Sequence, residues 1–387
     1  MTVLPVARHA EVAGAGFAGL TAAIALARRG WSVRVHERGE QLREQGAGIV
    51  LWQNSLKILE EFGLIAELDT QSMTPPAYET RMQNRAVSVE TLDGIWWRTM
   101  TRPFLHSLLA RAALREGVEI VTGSEVIGAT PEGQLRLAGG ETLVADLIVG
   151  ADGVGSDVRD SLGIPYERQH SRDGISRFLV PRRKADLAKL EPNTNWDHMI
   201  DFWNLEPRVL RVLYTPANAN ELYLALMAPA SDDEGSAVPI NLDVWTSIHP
   251  NLAPVLEEAT KVEGKYFGYQ TTRLDYWTSG RVALIGDAGH AMCPALAQGG
   301  GCAMMNAYTL AEAATLSDVA DIPESLVKWE QTERPYTDRC QTRSQNYADT
   351  RGMAKGNQFQ GEINETTLYD PTNPHRHDGV SSALGAQ

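Results

Sequence analysis

Glu11–Ala13, an acid followed by two apolar residues, opens a short predicted strand that gives way at once to GAGFAG (Gly14–Gly19). LTAAIALARRG (Leu20–Gly30) then puts Ala and Leu on the inner side of a predicted helix that stops at Gly30. WSVRVHE (Trp31–Glu37) alternates as a second strand, completing a strand–helix–strand unit. Further helices are predicted at SLKILEEFG (Ser55–Gly63) and at PFLHSLLARAAL (Pro103–Leu114), the latter with proline in its first turn. VEIVTGSEV (Val118–Val126) returns to strand, and Gly133–Gly153 reads as a hairpin running into the wholly apolar LIVG.

From about Gly174 the pattern changes. ISRFLVP, HMIDFWN, RVLRVLY and ELYLALMAP are four strand-like runs separated by turn signals, which predicts an antiparallel sheet. Helical pattern resumes over Leu242–Val262, and RVALIGDAG (Arg281–Gly289) reads as a buried strand. A long helical region is expected from about Ala303 to Lys355. Asp370–Gln387, rich in Asp, Pro, His, Gly and Ser, is expected to be a mobile tail.

The 387 residues exceed what a single core usually organises, so two packed lobes are expected. A net charge of −14 argues against nucleic acid or an anionic membrane as partner. The short basic cluster Arg182-Arg183-Lys184 reads as a solvated loop. Cys293, Cys302 and Cys340 show no metal-binding spacing, so free thiols, a reducing compartment and a cytoplasmic location are expected, with no metal site. No apolar run is long enough to span a membrane, and Met1–His9 is too short and polar for a signal peptide.

In GAGFAG, Gly14 allows the tight turn, Gly16 lets backbone approach a pyrophosphate and Gly19 lets helix pack on strand. Glu37 ends the next strand, where an acid accepts the hydroxyls of an adenosine ribose. Two more buried strands end in acids, at Asp152-Gly153 and Gly286-Asp287. After the last of these, GDAGHAMCPALAQGGGCAMMNA is almost devoid of bulky side chains, as expected where something flat must lie against backbone. His290 in this stretch is read as a loop histidine bonding backbone.

This set, GxGxxG, DG and GD in order, resembles the class A flavin-dependent aromatic monooxygenases of the para-hydroxybenzoate hydroxylase fold, over nearly the whole chain. The resemblance implies a mixed α/β (α+β) fold. A discontinuous, Rossmann-like FAD domain (1–75, 100–173, 275–325) would interleave with an antiparallel-sheet substrate domain (76–99, 174–274). A helical region (326–369) and the tail (370–387) would follow. It implies tightly bound, non-covalent FAD held by Gly14, Gly16, Phe17, Ala18, Gly19, Glu37, Arg38, Arg43, Arg102, Val126, Asp152, Asp287 and Gly299–Gly301 (Gly299, Gly300, Gly301). NAD(P)H, NADH favoured, would bind transiently because no second Gly-rich fingerprint is present. Pro294 and Ala295–Gln298 would wall the place where O2 reacts.

On RVLRVLY, Arg211 shares a face with Val209 and Leu213; on ISRFLVP, Arg177 shares one with Ile175 and Leu179. Both are therefore read as inward. An inward arginine needs an anion, either a protein acid or a substrate carboxylate. Periodicity does not say which face Tyr223 serves.

The stretches PPAYET, MTRPFLH, PRVLRVLY, NELYLALMAPA and HAMCPALAQGGGCAM resemble more closely the ring-opening oxygenases of vitamin B6 degradation, which act on a 3-hydroxypyridine carboxylate. That resemblance implies a site of Tyr78, Arg177, Arg211, Tyr223 and Tyr269, with Tyr78, Arg211, Tyr223, Tyr269 and Pro294 nearest the chemistry. The expected partners are an aromatic acid, O2 and NAD(P)H, and the chain is compatible with a homo-oligomer. A hydroxybenzoate- or salicylate-type hydroxylase without ring opening stays open. So does a non-enzymatic binding protein of the GDP-dissociation-inhibitor kind.

Overall fold

In the computed structural model of the protein, residues 8–42, 46–183, 187, 189–350, 358–367 and 369–373 are described. Arg43, Lys184 and the tail from 374 onward lie outside the described residues.

Five parallel strands form the centre of one sheet, in the order Val282–Leu284, Leu147–Gly150, His9–Ala13, Ser32–Glu37 and Glu119–Thr122. The short strand Thr278–Ser279 closes one edge in antiparallel register. Leu147–Gly150 is buried throughout, as a strand covered on both faces must be. Helix Phe17–Ala27 is buried from Ala18 to Leu26, which explains why it is apolar all round and rich in alanine. All four candidate motifs sit just past the carboxyl ends of neighbouring strands: Gly14 after Ala13, Glu37 at its own strand's end, Asp152 after Gly150, and Gly286-Asp287 after Leu284. That edge is where open parallel sheets bind their ligands.

A second, seven-stranded sheet runs in the order Tyr266–Leu274, Tyr166–Pro181, Glu221–Pro229, Leu210–Pro216, Met199–Asn204, Tyr78–Met82 and Arg85–Glu90. It is antiparallel except where Tyr78–Met82 joins Met199–Asn204 in parallel. The strand Tyr166–Pro181 is continuous through position 174, pairing early with Tyr266–Leu274 and late with Glu221–Pro229. One face of this sheet, carrying Phe178, Leu222, Leu224 and Leu226, packs on helices Leu242–Ile248 and Ala253–Ala259. The other, with Ile175, Tyr223, Ala225 and Met227, turns toward the parallel-sheet lobe.

Helix Gly299–Leu316 follows the GD motif, but the continuous helical region expected from Ala303 breaks at Ser317. A short 3-10 turn, Val319–Asp321, intervenes before helix Ile322–Thr350. Pro323 accounts for the restart, because proline suits a first turn and biases its predecessor away from helix. A last helix, Gln358–Thr367, returns to the seven-stranded sheet: Phe359 stacks on Tyr78 with ring centroids 3.9 Å apart and planes 12° from parallel. No described helix is long and apolar enough to cross a membrane.

Candidate active site

The turn after the first strand uses its glycines for three different reasons. Gly14 has φ +100°, and a Cβ there would lie 2.4 Å from the Ala151 carbonyl oxygen. A Cβ on Gly19 would come 1.9 Å from Gly14 O, so helix and turn touch backbone to backbone. At Gly16 no protein atom lies within 4 Å of the would-be Cβ. The space there is open, as a cradle for phosphate requires. Glu37 is fixed beside it, its two carboxylate oxygens accepting from Ala15 N (3.2 Å) and Gly39 N (3.0 Å). Val126 is buried at the head of strand Val126–Thr130, while Arg38 is exposed.

At the second acid, Asp152 Oδ2 accepts from Val158 N at 3.1 Å, but Oδ1 is buried without a hydrogen-bond partner among the described residues. Burial pushes this carboxyl's pKa up. Arg159 was not among the expected site residues. It is buried and donates to Val154 O and Asp160 Oδ1, and more distantly to Ala288 O (3.5 Å), tying this loop to the GD loop. The signal was its place three residues after the cap Ser156, whose Oγ accepts from Arg159 N.

At the third acid, Asp287 keeps accessible surface although Ala288, Gly289 and His290 beside it are buried. Protein nevertheless encloses it closely enough that burial raises its pKa, with Arg102 and then Arg177 pulling the value back down. Accessible surface inside dense protein means that the carboxylate faces an internal hollow. Arg102 faces the same hollow: burial and repulsion by Arg177 lower its pKa, while Asp287 and Tyr223 oppose that shift. Its guanidinium lies 4.8 Å from the Phe17 ring centroid, over the start of the first helix. Among the described residues neither the Arg102 nor the Arg177 guanidinium makes a hydrogen bond or ion pair; Arg177 lies 5.9 Å from the Phe267 ring and within electrostatic reach of Asp287.

Gly299, Gly300 and Gly301 open helix Gly299–Leu316, after Ala297 in the left-handed region at φ +53°. A Cβ on Gly299 would make only an ordinary 3.6 Å contact with Met292, so protein packing does not by itself demand glycine there. His290 Nε2 accepts from Gly286 N (3.1 Å) and Asn306 Nδ2 (2.9 Å), and burial pushes its pKa down to about 4. It is a structural acceptor that holds the loop.

The open cradle at Gly16, the orphaned Asp152 oxygen, the unmatched Arg102 and the hollow at Asp287 lie along one strand edge. Together they fit a long dinucleotide bearing phosphates, riboses and a flat ring, which is the chemistry of FAD. Among the described residues no group of His, Cys, Asp and Glu could hold a metal ion.

On the seven-stranded sheet, register places Tyr223, Ala225 and Met227 on the same face as Ile175, Arg177, Leu179, Arg211 and Leu213. This settles which side Tyr223 serves. Tyr223, Tyr269, Met227 and the buried thiol Cys293 form one cluster, with Ala295 packed at its edge beside Pro294. Of the two kinds of anion open to it, Arg211 meets a protein acid. Its Nε and Nη2 donate to the two oxygens of Asp201 at 2.5 and 2.7 Å, and Nη1 approaches Met227 Sδ at 3.2 Å. Burial works against its charge, but Asp201 prevails and holds its pKa above the ordinary value. Tyr78 donates to Asp201 Oδ2 at 2.7 Å, and burial, then the nearby Asp201 charge, raises its pKa well above the ordinary value. Arg211 therefore turns toward Met199–Asn204, away from Arg177, and the two arginines do not converge. The missed residue, Asp201, had a sequence signal: it is the one acid in the otherwise apolar HMIDFWN.

A family model described as FAD binding domain matches residues 9–322. The chain is 38% identical over 341 residues to 2-heptyl-3-hydroxy-4(1H)-quinolone synthase of Mycobacteroides abscessus, covering 87% of this chain and 88% of that enzyme. It is 26% identical over 318 residues to 6-hydroxynicotinate 3-monooxygenase of Pseudomonas fluorescens, with 78% and 80% covered. The structure superposes on the tetrameric form of 2-methyl-3-hydroxypyridine-5-carboxylic acid oxygenase with a TM-score of 0.90 and 53% identity, covering 95% of this chain and 97% of that one.

Proposed function

From the chain's membership of the FAD-binding-domain family of flavin-dependent aromatic monooxygenases, we propose that its substrate is a 3-hydroxypyridine carboxylate, 2-methyl-3-hydroxypyridine-5-carboxylate, which it hydroxylates and opens, a step of vitamin B6 degradation. The observation that carries this reading is Arg177. It is an unmatched guanidinium on the inner face of the sheet, two strands from the already neutralised Arg211. A half-buried cation with no carboxylate hydrogen-bonded to it among the described residues favours an anionic ligand. An alkylquinolone carries no carboxylate for it. The 53% identity to an oxygenase of the pyridine acid supports the same choice.

Gly14–Gly19, Glu37, Arg102, Asp152 and Asp287 would hold FAD, which when bound would supply the transfer of two electrons from NAD(P)H to O2 and the activation of that oxygen. The chain's own residues do the rest. Arg177 binds the substrate carboxylate, and Tyr223 and Tyr269 flank the ring. Ile175, Met227 and Cys293 keep water away from the reacting face. The helix start at Gly299–Gly301 offers free amides to negative charge nearby. A deprotonated 3-hydroxyl on the substrate drives electron density to ring carbon 2, where oxygen adds. We further propose a homo-oligomer, supported by the tetrameric relative.

The test is consumption of NADH or NADPH by the purified yellow protein, with and without the pyridine acid. Faster consumption together with loss of the ring's ultraviolet absorbance is expected. Stimulation only by hydroxybenzoates, with aromatic absorbance kept, would replace the substrate assignment with simple hydroxylation. A colourless protein that binds no flavin would overturn the whole reading.

A further inference from the structure

Two arginines project from the inner face of the seven-stranded sheet, and they are in different electrostatic states. Arg211 is locked to Asp201 through two short hydrogen bonds, and the second oxygen of that carboxylate also accepts from Tyr78. Asp201 is fully buried and Arg211 nearly so. Arg177, across the strand that carries Ala225, has no such partner among the described residues. Their backbones are two strand spacings apart and offset by two residues along the strands, about 12 Å in all. A flat ring lying between them would present opposite ends to the two guanidiniums.

We propose that Asp201 is a specificity-determining residue: its carboxylate occupies Arg211 and so leaves a single guanidinium, Arg177, to a substrate carboxylate, which selects aromatic acids carrying one carboxylate over those carrying two at opposite ends. The inference rests on the reading of an aromatic-acid substrate given above. A second carboxylate entering on the Arg211 side would meet Asp201, a like charge in a dry enclosure, with no cation left to receive it. Asp201 acts through Arg211 and is not itself a ligand of the substrate.

The test uses the FAD-loaded protein and two probes differing in one group. They are 2-methyl-3-hydroxypyridine-5-carboxylate and 3-hydroxypyridine-2,5-dicarboxylate, in which the methyl is replaced by a second carboxylate across the ring. Dissociation constants are read from the perturbation of flavin absorbance, without turnover. The parent protein is expected to prefer the monocarboxylate at least tenfold; equal binding overturns the proposal without any variant. In Asp201→Asn the preference should shrink tenfold or reverse, and an unchanged ratio in folded, yellow protein overturns it. In the double variant Asp201→Asn with Arg211→Gln, which removes both charges, the preference should return toward the parent's ratio. Continued acceptance of the dicarboxylate there overturns it. A merely structural pair would alter stability but not this ratio. Binding of neither acid to yellow protein defeats the substrate reading itself, and the inference with it.

Discussion

Tyr223 and Gly48 meet so closely that a Cβ on Gly48 would lie 2.4 Å from Tyr223 Cβ and 2.5 Å from its Cγ. Gly48 starts strand Gly48–Trp52, and Tyr223 comes from the inner face of the seven-stranded sheet. The two strands thus touch through a glycine and a tyrosine, and the position of that ring is set by the absence of a side chain opposite. Gly48→Ala should destabilise the protein by about 1–3 kcal/mol through overpacking and displace the tyrosine. Thermal melting should show the loss, and turnover with the pyridine acid should fall more than flavin content does.

Arg177→Gln removes the proposed carboxylate anchor and leaves the flavin contacts in place. A charge-assisted hydrogen bond to a carboxylate contributes about 1.5–3 kcal/mol, so KM for the acid should rise roughly 10- to 100-fold. Steady-state kinetics, with flavin occupancy read from the visible spectrum, checks this. An unchanged KM would remove Arg177 from the substrate site.

Asp287 faces the hollow that Arg102 and Arg177 also feel. Asp287→Ala should release flavin. Gel filtration of the variant is expected to give protein with less than half the parent's ratio of visible to ultraviolet absorbance, while far-ultraviolet circular dichroism stays the same.

His290 and His249 are both buried, and burial lowers each from 6.5 to about 4. In the folded protein they stay neutral to about pH 4, whereas in the unfolded chain they take up protons near 6.5. The unfolded state binds more protons across that window, so stability falls as pH drops from 6.5 toward 4, by up to about 3 kcal/mol for each histidine. Above 6.5 the two groups make stability independent of pH. His290→Gln, which keeps an acceptor for Gly286 N, should flatten the acid limb of a melting-temperature profile relative to the parent.

The strand edge that carries the motifs was readable because each motif answers a local demand. Gly14 and Gly19 are dictated by backbone a few residues away or on the next strand, and the acids fall where parallel strands end. Alternation likewise assigned Arg177 and Arg211 to the inner face, because side chains on a strand have a period of two whatever lies next to them. The break at Ser317 was hidden in a sequence whose helical character is strong on both sides of it.

Which acid meets Arg211 was decided by register. Asp201 lies ten positions earlier on a neighbouring strand, and the chain holds 49 acids that alternation alone cannot rank. The stacking of Phe359 on Tyr78 and the entry of Cys293 into the Tyr223 cluster are likewise contacts between segments far apart in the chain. The sequence by itself determined the family, the strand edge on which its motifs gather and the inward faces of the sheet, since these follow from local geometry repeated along a strand or turn. Only the tertiary structure decided that one inward arginine is neutralised and the other left open, because a buried charge is settled by whatever the fold brings within about 3 Å of it.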